Sequence, residues 1–425
     1  MDRAADRIVA SVRRPRFPGR VFPVTRFGAA GDGVTDCTQA FAAAIAACNR
    51  AGGGHVIVPP GQFFTGAIHL LSDVDLHLEA GSTILFSQDP NAYLPVVFTR
   101  WQGIELMNYS PPIYSYGQRN IAITGQGTLN GQADDSHWWN WKNLETPDFD
   151  LLETMADDNV PVAQRVFGPG HFLPPQMIQP FLTDTVLIQG VTIVNSPFWH
   201  LNPNLCHNVT IEGVSISSSG PNTDGCDPES CDGVVIDGVT FDTGDDCVAI
   251  KSGRDADGRR VNVPSQNLVI QNCTFANGHG GITLGSEMTG GVKNVYARDL
   301  TMNSANLQAG HRIKTNTLRG GFVENSNVYR ITAGTIGGPV LLIDAQYDDQ
   351  TGDFPPDIPG ISLIDWTVAD CEGIWSILGA SATDPVGTVT FTNVAVTAST
   401  VANSAQDITN LVLNNVTLGG APVTS

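Results

Sequence analysis

The chain of 425 residues has 42 acidic and 22 basic side chains, and its formal net charge of −20 argues against a nucleic-acid partner. Phosphate binding needs clustered cations, which this balance does not favour. No run of 18 apolar residues is present, so the sequence gives no indication of a membrane partner. Only 15% of the residues are charged and 45 are glycine, which suits short strands and tight turns better than helices.

Residues 1–21 are interpreted as an N-terminal extension without the apolar core of a signal peptide. This is expected either for a protein that stays inside the cell or for a periplasmic or secreted chain whose signal has been removed. The eight cysteines do not decide between these compartments. Cys226 with Cys231 and Cys247 with Cys273 are possible disulfide pairs, but buried free thiols are expected for most cysteines.

Residues 22–60 are predicted to form an N-terminal cap. A strand and a glycine-rich turn at Phe22–Asp36 precede an alanine-rich amphipathic helix at Thr38–Cys48, and the strand His55–Val58 follows. Since the terminal units of repeat proteins need capping, we expect this helix to cover the open end of the first repeat.

A repeating unit of a short strand, a Gly or Asn turn and a second short strand follows the cap. It is clearest in five segments: Val186–Ile193, Asn208–Ile216, Val234–Phe241, Asn267–Phe275 and Asn294–Met302. Weaker or earlier copies occur at five more: Asp73–Leu78, Asn120–Leu129, Ile361–Val368, Val389–Val396 and Ile408–Leu418. Strand repeats of about 22 to 34 residues predict an all-β solenoid, a single-domain parallel β-helix over residues 22–425. Insertions are predicted at about 135–170 and at Arg254–Ser265.

Four polar motifs recur at about one per repeat: Asn222-Thr223-Asp224, Gly244-Asp245-Asp246, Gly278-His279-Gly280 and Arg312-Ile313-Lys314. Because a solenoid stacks equivalent positions of successive units, residues distant in sequence are expected to form one patch. The motifs of the first two units are one coil apart, so their acids are predicted to be neighbours at about 4.8 Å or somewhat more.

The patch contains the groups that cutting an acidic sugar polymer requires. Mutual repulsion among Asp224, Asp245 and Asp246 is expected to raise at least one pKa, which gives a protonated acid beside ionised bases. Glycoside hydrolysis uses such a pair. Arg312 and Lys314 are two residues apart and share one face of a strand, where they suit a sugar carboxylate.

Together the four motifs resemble those of glycoside hydrolase family 28, the polygalacturonase family, over roughly Phe22–Asp344. The resemblance implies a right-handed parallel β-helix that hydrolyses galacturonan with inversion and without a cofactor or metal. It makes Asp245 the general acid, lets Asp224 and Asp246 activate water, and gives His279 a role in supporting the acid. Arg312 and Lys314 are then expected to bind the uronate.

Longer segments are similar to bacterial exo-acting members of this family: Gly225–Cys231, Lys251–Arg260 and Gly280–Gly291. Asn222, Lys251, Glu287 and Tyr347 are further predicted substrate-binding residues. The tryptophan cluster Trp138-Trp139-Asn140-Trp141 is a candidate wall that closes one end of a cleft.

The expected partner is therefore polygalacturonate or its oligomers, cut by an exo-acting hydrolase. An endo-acting polygalacturonase is the alternative, and loop lengths alone decide between them. A pectate lyase needs calcium and a basic residue, and a non-catalytic binding module has no reason to crowd three carboxylates near a polyanion.

Overall fold

The computed structural model describes residues 1–424, and most of their regular secondary structure is parallel strand. They divide into two compact units, one of residues 12–223 and one of residues 1–11 together with 224 onward. Each unit is built from stacked coils of parallel strands, so the predicted β-helix architecture is confirmed. No helix among the described residues has the length and apolar character that crossing a membrane requires.

The unit of residues 12–223 has three parallel sheets. The first contains Val21–Pro23, Gly54–Val58, Val74–Leu78, Arg119–Gly125, Asp184–Gln189 and His207–Glu212. The second contains Asp32–Asp36, Gly61–Thr65, Ser82–Phe86, Thr128–Asn130, Thr192–Val194 and Ser215–Ser217, and the third contains Ile68–His69, Ile113–Tyr116 and Ile178–Phe181. Ile123 pairs with Leu76 on one side and Ile188 on the other, so buried aliphatic side chains stack from coil to coil.

The predicted cap helix is confirmed as Thr38–Arg50, which buries Phe41 and Ile45. The insertion at about 135–170 contains a helix at Thr146–Asp157 and a 3-10 turn at Trp139–Asn143, and its neighbours Val97–Trp101, Ile104–Asn108 and Val166–Phe167 form a small sheet.

The predicted cleft wall is wrong for two of its three tryptophans. Trp138 and Trp141 are buried in a cluster with Tyr93 and Tyr109, and they cannot offer a ring face to a sugar. Trp139 is partly buried and donates its indole N–H to the Ser196 carbonyl at 2.9 Å.

The second unit repeats the arrangement with longer strands. One sheet contains Asp232–Asp237, Ser265–Gln271, Val292–Ser304, Val323–Ile336, Gly360–Cys371, Val386–Ser399 and Ile408–Leu418, with the short strands Thr240–Asp242, Thr274–Asn277 and Ala421–Pro422. The other sheet contains Val248–Ile250, Gly280–Gly285, Ala309–Lys314, Leu341–Asp344, Trp375–Leu378 and Ser404–Gln406.

Two segments of this unit are more ordered than the sequence predicts. Within the predicted N-terminal extension, Asp2–Ser11 is a helix whose Ala5 packs against Val269 and Tyr296. Within the predicted loop Arg254–Ser265, Asp255–Val261 is a short helix. All eight cysteines are buried free thiols.

Candidate active site

The second sheet of the unit from residue 224 onward presents the polar motifs. Arg312 pairs in register with Thr283 on the preceding strand, and Lys314 pairs with Gly285. Ile313 between the two cations is fully buried, so alternation turns both cations away from the core. The predicted common face for Arg312 and Lys314 is confirmed.

The three aspartates lie together at the N-terminal edge of this sheet. One carboxylate oxygen from each of Asp224, Asp245 and Asp246 lies within 4.8 Å of the other two. Asp224 is 3% exposed, Asp246 is fully buried, and Asp245 remains partly exposed. The chain bends at this point, and the Asp246 amide donates to Asp245 Oδ1 at 2.8 Å, which lets consecutive side chains reach one site.

The nearest cation is already bound to one of these acids. Lys314 Nζ donates to Asp246 Oδ2 at 2.8 Å, and the Arg312 guanidinium lies 3.9 Å from Asp246 Oδ1. Three converging carboxylates could surround a divalent cation. Since the Lys314 ammonium supplies the positive charge beside Asp246, we assign none of them as a metal ligand.

His279 contacts the partly exposed acid. Its Nδ1 lies 3.3 Å from Asp245 Oδ1, and its backbone N–H donates to the Asp245 carbonyl at 2.9 Å. The flanking glycines allow this approach, since a Cβ at Gly278 would lie 2.5 Å from Cys247 Sγ.

The acids differ in their protonation. Burial raises the pKa of Asp224 well above its usual range, and the neighbouring Asp227 and Asp245 charges raise it further. Burial would also raise the pKa of Asp245, but the hydrogen bond to His279 and the Lys314 charge outweigh it and lower that pKa to about 2. The same hydrogen bond raises the pKa of His279. Asp224 is therefore the acid with the raised pKa, while Asp245 and His279 form an ion pair.

Comparison with known proteins decides the family. Residues 169–417 match the sequence model of glycosyl hydrolases family 28, and residues 21–82 match that of rhamnogalacturonase A/epimerase, pectate lyase-like. The chain is 31% identical over 390 residues to a probable polygalacturonase of Vitis vinifera, covering 87% of this chain and 73% of that protein.

The chain belongs to glycosyl hydrolases family 28. It is also 26% identical over 387 residues to an exo-poly-alpha-D-galacturonosidase of Dickeya chrysanthemi, covering 82% of this chain and 61% of that protein. Among solved structures, a hyperthermoactive exopolygalacturonase from Thermotoga maritima is 39% identical with a TM-score of 0.92. That match covers 97% of this chain and 96% of the other, and it supports the right-handed β-helix that the sequence predicts.

Two of the predicted substrate-binding residues of this family 28 chain, Lys251 and Glu287, are buried. Lys251 and Glu287 are 3% and 5% exposed, and Lys251 Nζ donates to Glu287 Oε2 at 2.8 Å. Arg254 lies 3.4 Å from the other Glu287 oxygen. The two charges are therefore buried against each other, and the substrate contact of Lys251 and Glu287 stays a prediction.

The remaining predicted residues are Tyr347 and Asn222. The Tyr347 ring centroid lies 5.5 Å from Lys314 Nζ and 5.9 Å from the Arg312 guanidinium carbon, so this tyrosine lies beside both cations. Asn222 belongs to the unit of residues 12–223, where its backbone adopts a left-handed φ of 52°.

Sequence reasoning did not single out Asp227, a buried acid whose charge acts on Asp224. It is fully buried, and burial raises its pKa well above its usual range, with the Lys251 charge opposing and the Asp246 charge adding to that rise. Its signal was its position three residues after Asp224, within the segment Gly225–Cys231.

A Gly280→Ala variant is expected to fold but to lose about 10²-fold in kcat, since small displacements of reacting groups cost about that much. A Cβ at Gly280 would lie 2.6 Å from Asp246 Oδ1 and would also clash with Thr283 Oγ1. Gly19→Ala is the matched control, because nothing lies within 4 Å of a Cβ there. Steady-state kinetics with thermal unfolding of both variants checks this, and full activity of Gly280→Ala would contradict the described packing.

Proposed function

We propose that this chain hydrolyses α-1,4-galacturonosyl linkages of pectate or oligogalacturonides from a chain end. The observation that carries the proposal is the convergence of three carboxylates within 4.8 Å, with Lys314 bound to one of them at 2.8 Å. The 39% identity to an exopolygalacturonase over nearly the whole chain supports the exo assignment.

Asp245 acts as the general acid in this proposal, and His279 holds its proton. In the free protein the proton of this pair resides on His279, because the shared hydrogen bond raises the pKa of His279 and lowers that of Asp245. When a glycosidic oxygen approaches Asp245, the proton passes from His279 through the carboxyl to that oxygen. The bond between C1 and this oxygen breaks as the leaving sugar gains the proton.

Asp224 and Asp246 act on the attacking water. Asp224 reacts in its ionised form, in which the raised pKa makes its carboxylate a strong proton acceptor, and it takes one proton of the water as the oxygen bonds to C1. Asp246, fixed by Lys314, accepts a hydrogen bond from the same water. Attack from the face opposite the leaving group inverts the anomeric carbon.

Arg312 recognises the sugar carboxylate. Its guanidinium is bound to Gln308 Oε1 at 3.1 Å and lies near Asp246 only at 3.9 Å, so it keeps donors for an anionic ligand. A planar donor group of this kind matches a carboxylate well. Tyr347, beside both cations, forms one side of the same position.

An endo-acting enzyme and a non-catalytic binding protein are the alternatives. A binding protein for a polyanion gains nothing from crowded carboxylates, which repel the ligand. Chromatography of polygalacturonate products over time, with and without a chelator, separates these possibilities.

One short product from the first minutes, unaffected by chelator, is the expected result. A ladder of oligomers would replace exo with endo cleavage. Products that absorb as unsaturated uronates and disappear with chelator would overturn hydrolysis, and no product from any uronate-containing pectin would favour the binding protein.

A further inference from the structure

A short turn before the cation motif ends at Gln308, and the strand Ala309–Lys314 begins directly after it. Asn306 in this turn donates its side-chain amide to Asn277 Oδ1 at 2.9 Å. Gln308 donates its backbone N–H to the His279 carbonyl at 2.6 Å. Because Asn277 and His279 lie on either side of a single glycine, the backbone of Gln308 is fixed against the histidine motif.

The exposed side chain of Gln308 binds Arg312, one of the two cations of the proposed site. Gln308 Oε1 accepts a hydrogen bond from Arg312 Nη1 at 3.1 Å. The same nitrogen lies 3.9 Å from Asp246 Oδ1, and the Asp246 side chain is fully buried. Asp246 Oδ1 has no hydrogen-bond partner among the residues that the structure describes. A neutral amide and a buried carboxylate therefore compete for one Arg312 nitrogen.

Charge alone favours the carboxylate in this competition. The Arg312 side chain is 13% exposed, so solvent screens its attraction to Asp246 only weakly. A guanidinium that is free to move is expected to close on the carboxylate to about 2.7–2.9 Å, the usual length of such a charge-assisted bond. The observed 3.9 Å exceeds this length by about 1 Å. The hydrogen bond to Gln308 engages the nitrogen that would make this closer contact.

Closure of Arg312 on Asp246 would remove two groups that the proposed reaction uses. Asp246 Oδ1 would lose the open lone pairs that accept a hydrogen bond from the attacking water, and Arg312 would lose donors that suit a sugar carboxylate. In the observed position Arg312 has an unused donor, because its Nε–H is buried without a hydrogen-bond partner in the part of the chain that the structure describes. An anionic ligand that satisfies a buried donor of this kind is favoured.

We propose that Gln308 is a positioning residue, which holds the Arg312 guanidinium away from Asp246 so that the attacking water and the sugar carboxylate each find an open partner. This inference rests on the proposed function, and it assigns a role to a residue that the four motifs do not contain. Gln308 needs no contact with the substrate to act in this way.

Gln308→Met tests the proposal because it removes the acceptor and keeps a side chain of similar length. KM for oligogalacturonides is expected to rise by about tenfold, the effect of losing one hydrogen bond to a charged group. The value of kcat should fall as well, because Asp246 no longer orients the water. Gln406→Met, at an exposed glutamine of the same unit, is the matched control and should leave both constants unchanged. An unchanged KM in Gln308→Met would overturn the proposal.

A double-mutant cycle separates positioning from a merely structural role. Arg312→Met removes the group on which Gln308 is proposed to act, so adding Gln308→Met to it should change KM and kcat no further. Losses that add in the double variant would show that Gln308 acts independently of Arg312, which contradicts the proposal.

Substrate-free crystal structures keep this test separate from the proposed function. The distance between Arg312 Nη1 and Asp246 Oδ1 is expected to shorten from 3.9 Å to about 2.7–2.9 Å in Gln308→Met. Gln308→Glu, which keeps an acceptor, should retain the longer distance. An unchanged distance in Gln308→Met, or equal shortening in both variants, would overturn the inference even if the protein hydrolyses polygalacturonate. Shortening in Gln308→Met alone, in a protein without activity on polygalacturonate, would uphold the restraint and reject only the proposed substrate.

Discussion

Asp245→Asn is expected to lower kcat on polygalacturonate by about 10²–10⁴-fold, the usual contribution of a general acid. The amide has the same shape as the carboxyl but cannot pass a proton from His279, which lies 3.3 Å away, to the leaving oxygen. Binding of oligogalacturonide is expected to stay equal or improve, because one negative charge is removed from a site that faces a polyanion. Steady-state kinetics and calorimetric titration measure the two effects.

Asp370→Asn is the control for this change, since Asp370 is exposed on the strand Gly360–Cys371 of the same unit. Activity that survives in Asp245→Asn would remove Asp245 from the role of the acid.

A substrate with a better leaving group distinguishes Asp245 as the general acid from the reverse assignment, in which Asp224 is the acid. A 4-nitrophenyl glycoside of an oligogalacturonide needs little protonation to leave, so Asp245→Asn should lose far less activity on it than on polygalacturonate. Asp224→Asn should lose similar activity on both substrates, because water still needs a base. The opposite pattern would show that Asp224 is the acid and Asp245 the base. This exchange of roles is the alternative to test, because Asp224 is the acid whose pKa is raised.

Lys314→Met is expected to lower the free energy of unfolding by about 3–5 kcal/mol, the usual cost of breaking a buried ion pair. Asp246 is fully buried and takes its closest cationic contact from Lys314 at 2.8 Å. Turnover should fall with stability, because the water-orienting carboxylate loses the group that fixes it. Denaturant unfolding and kinetics on the same preparation measure both losses.

Removing the charge of Asp246 as well tests whether the unpaired Asp246 carboxylate causes the loss of stability. In the double variant Lys314→Met, Asp246→Asn, most of the stability should return while activity stays low, because no uncompensated carboxylate remains buried. Lys293→Met, at a partly exposed lysine of the same unit, is expected to change little. A double variant as unstable as Lys314→Met would show that packing of the lysine stem, rather than charge, stabilises the site.

The repeat pattern predicted most of the architecture because its signal is local. A strand, a Gly or Asn turn and a second strand fix each coil, and stacking then places Asp224, Asp245 and Asp246 together without knowledge of any loop. The face shared by Arg312 and Lys314 follows from strand alternation alone. The cap helix was predictable because its apolar residues follow helical spacing.

Features that depend on tertiary contacts could not be predicted in the same way. The helix Asp255–Val261 is only seven residues long, and Arg319 binds Asp255 at its first residue at 2.7 Å, far away in sequence. Repulsion among three acids predicts that one pKa rises, but which one rises depends on His279 and Lys314. The burial of Lys251 depends on the chain around Glu287, which a strand pattern does not describe.

Proton NMR of an oligogalacturonide digest tests the central claim most directly. One carboxylate oxygen from each of Asp224, Asp245 and Asp246 lies within 4.8 Å of the other two. Inversion is expected, because Asp224 and Asp246 both act on the water and neither attacks the sugar. The β-anomer of the released reducing end should therefore appear first and then equilibrate. An α-anomer as the first product, or the vinyl proton of an unsaturated uronate, would contradict the account.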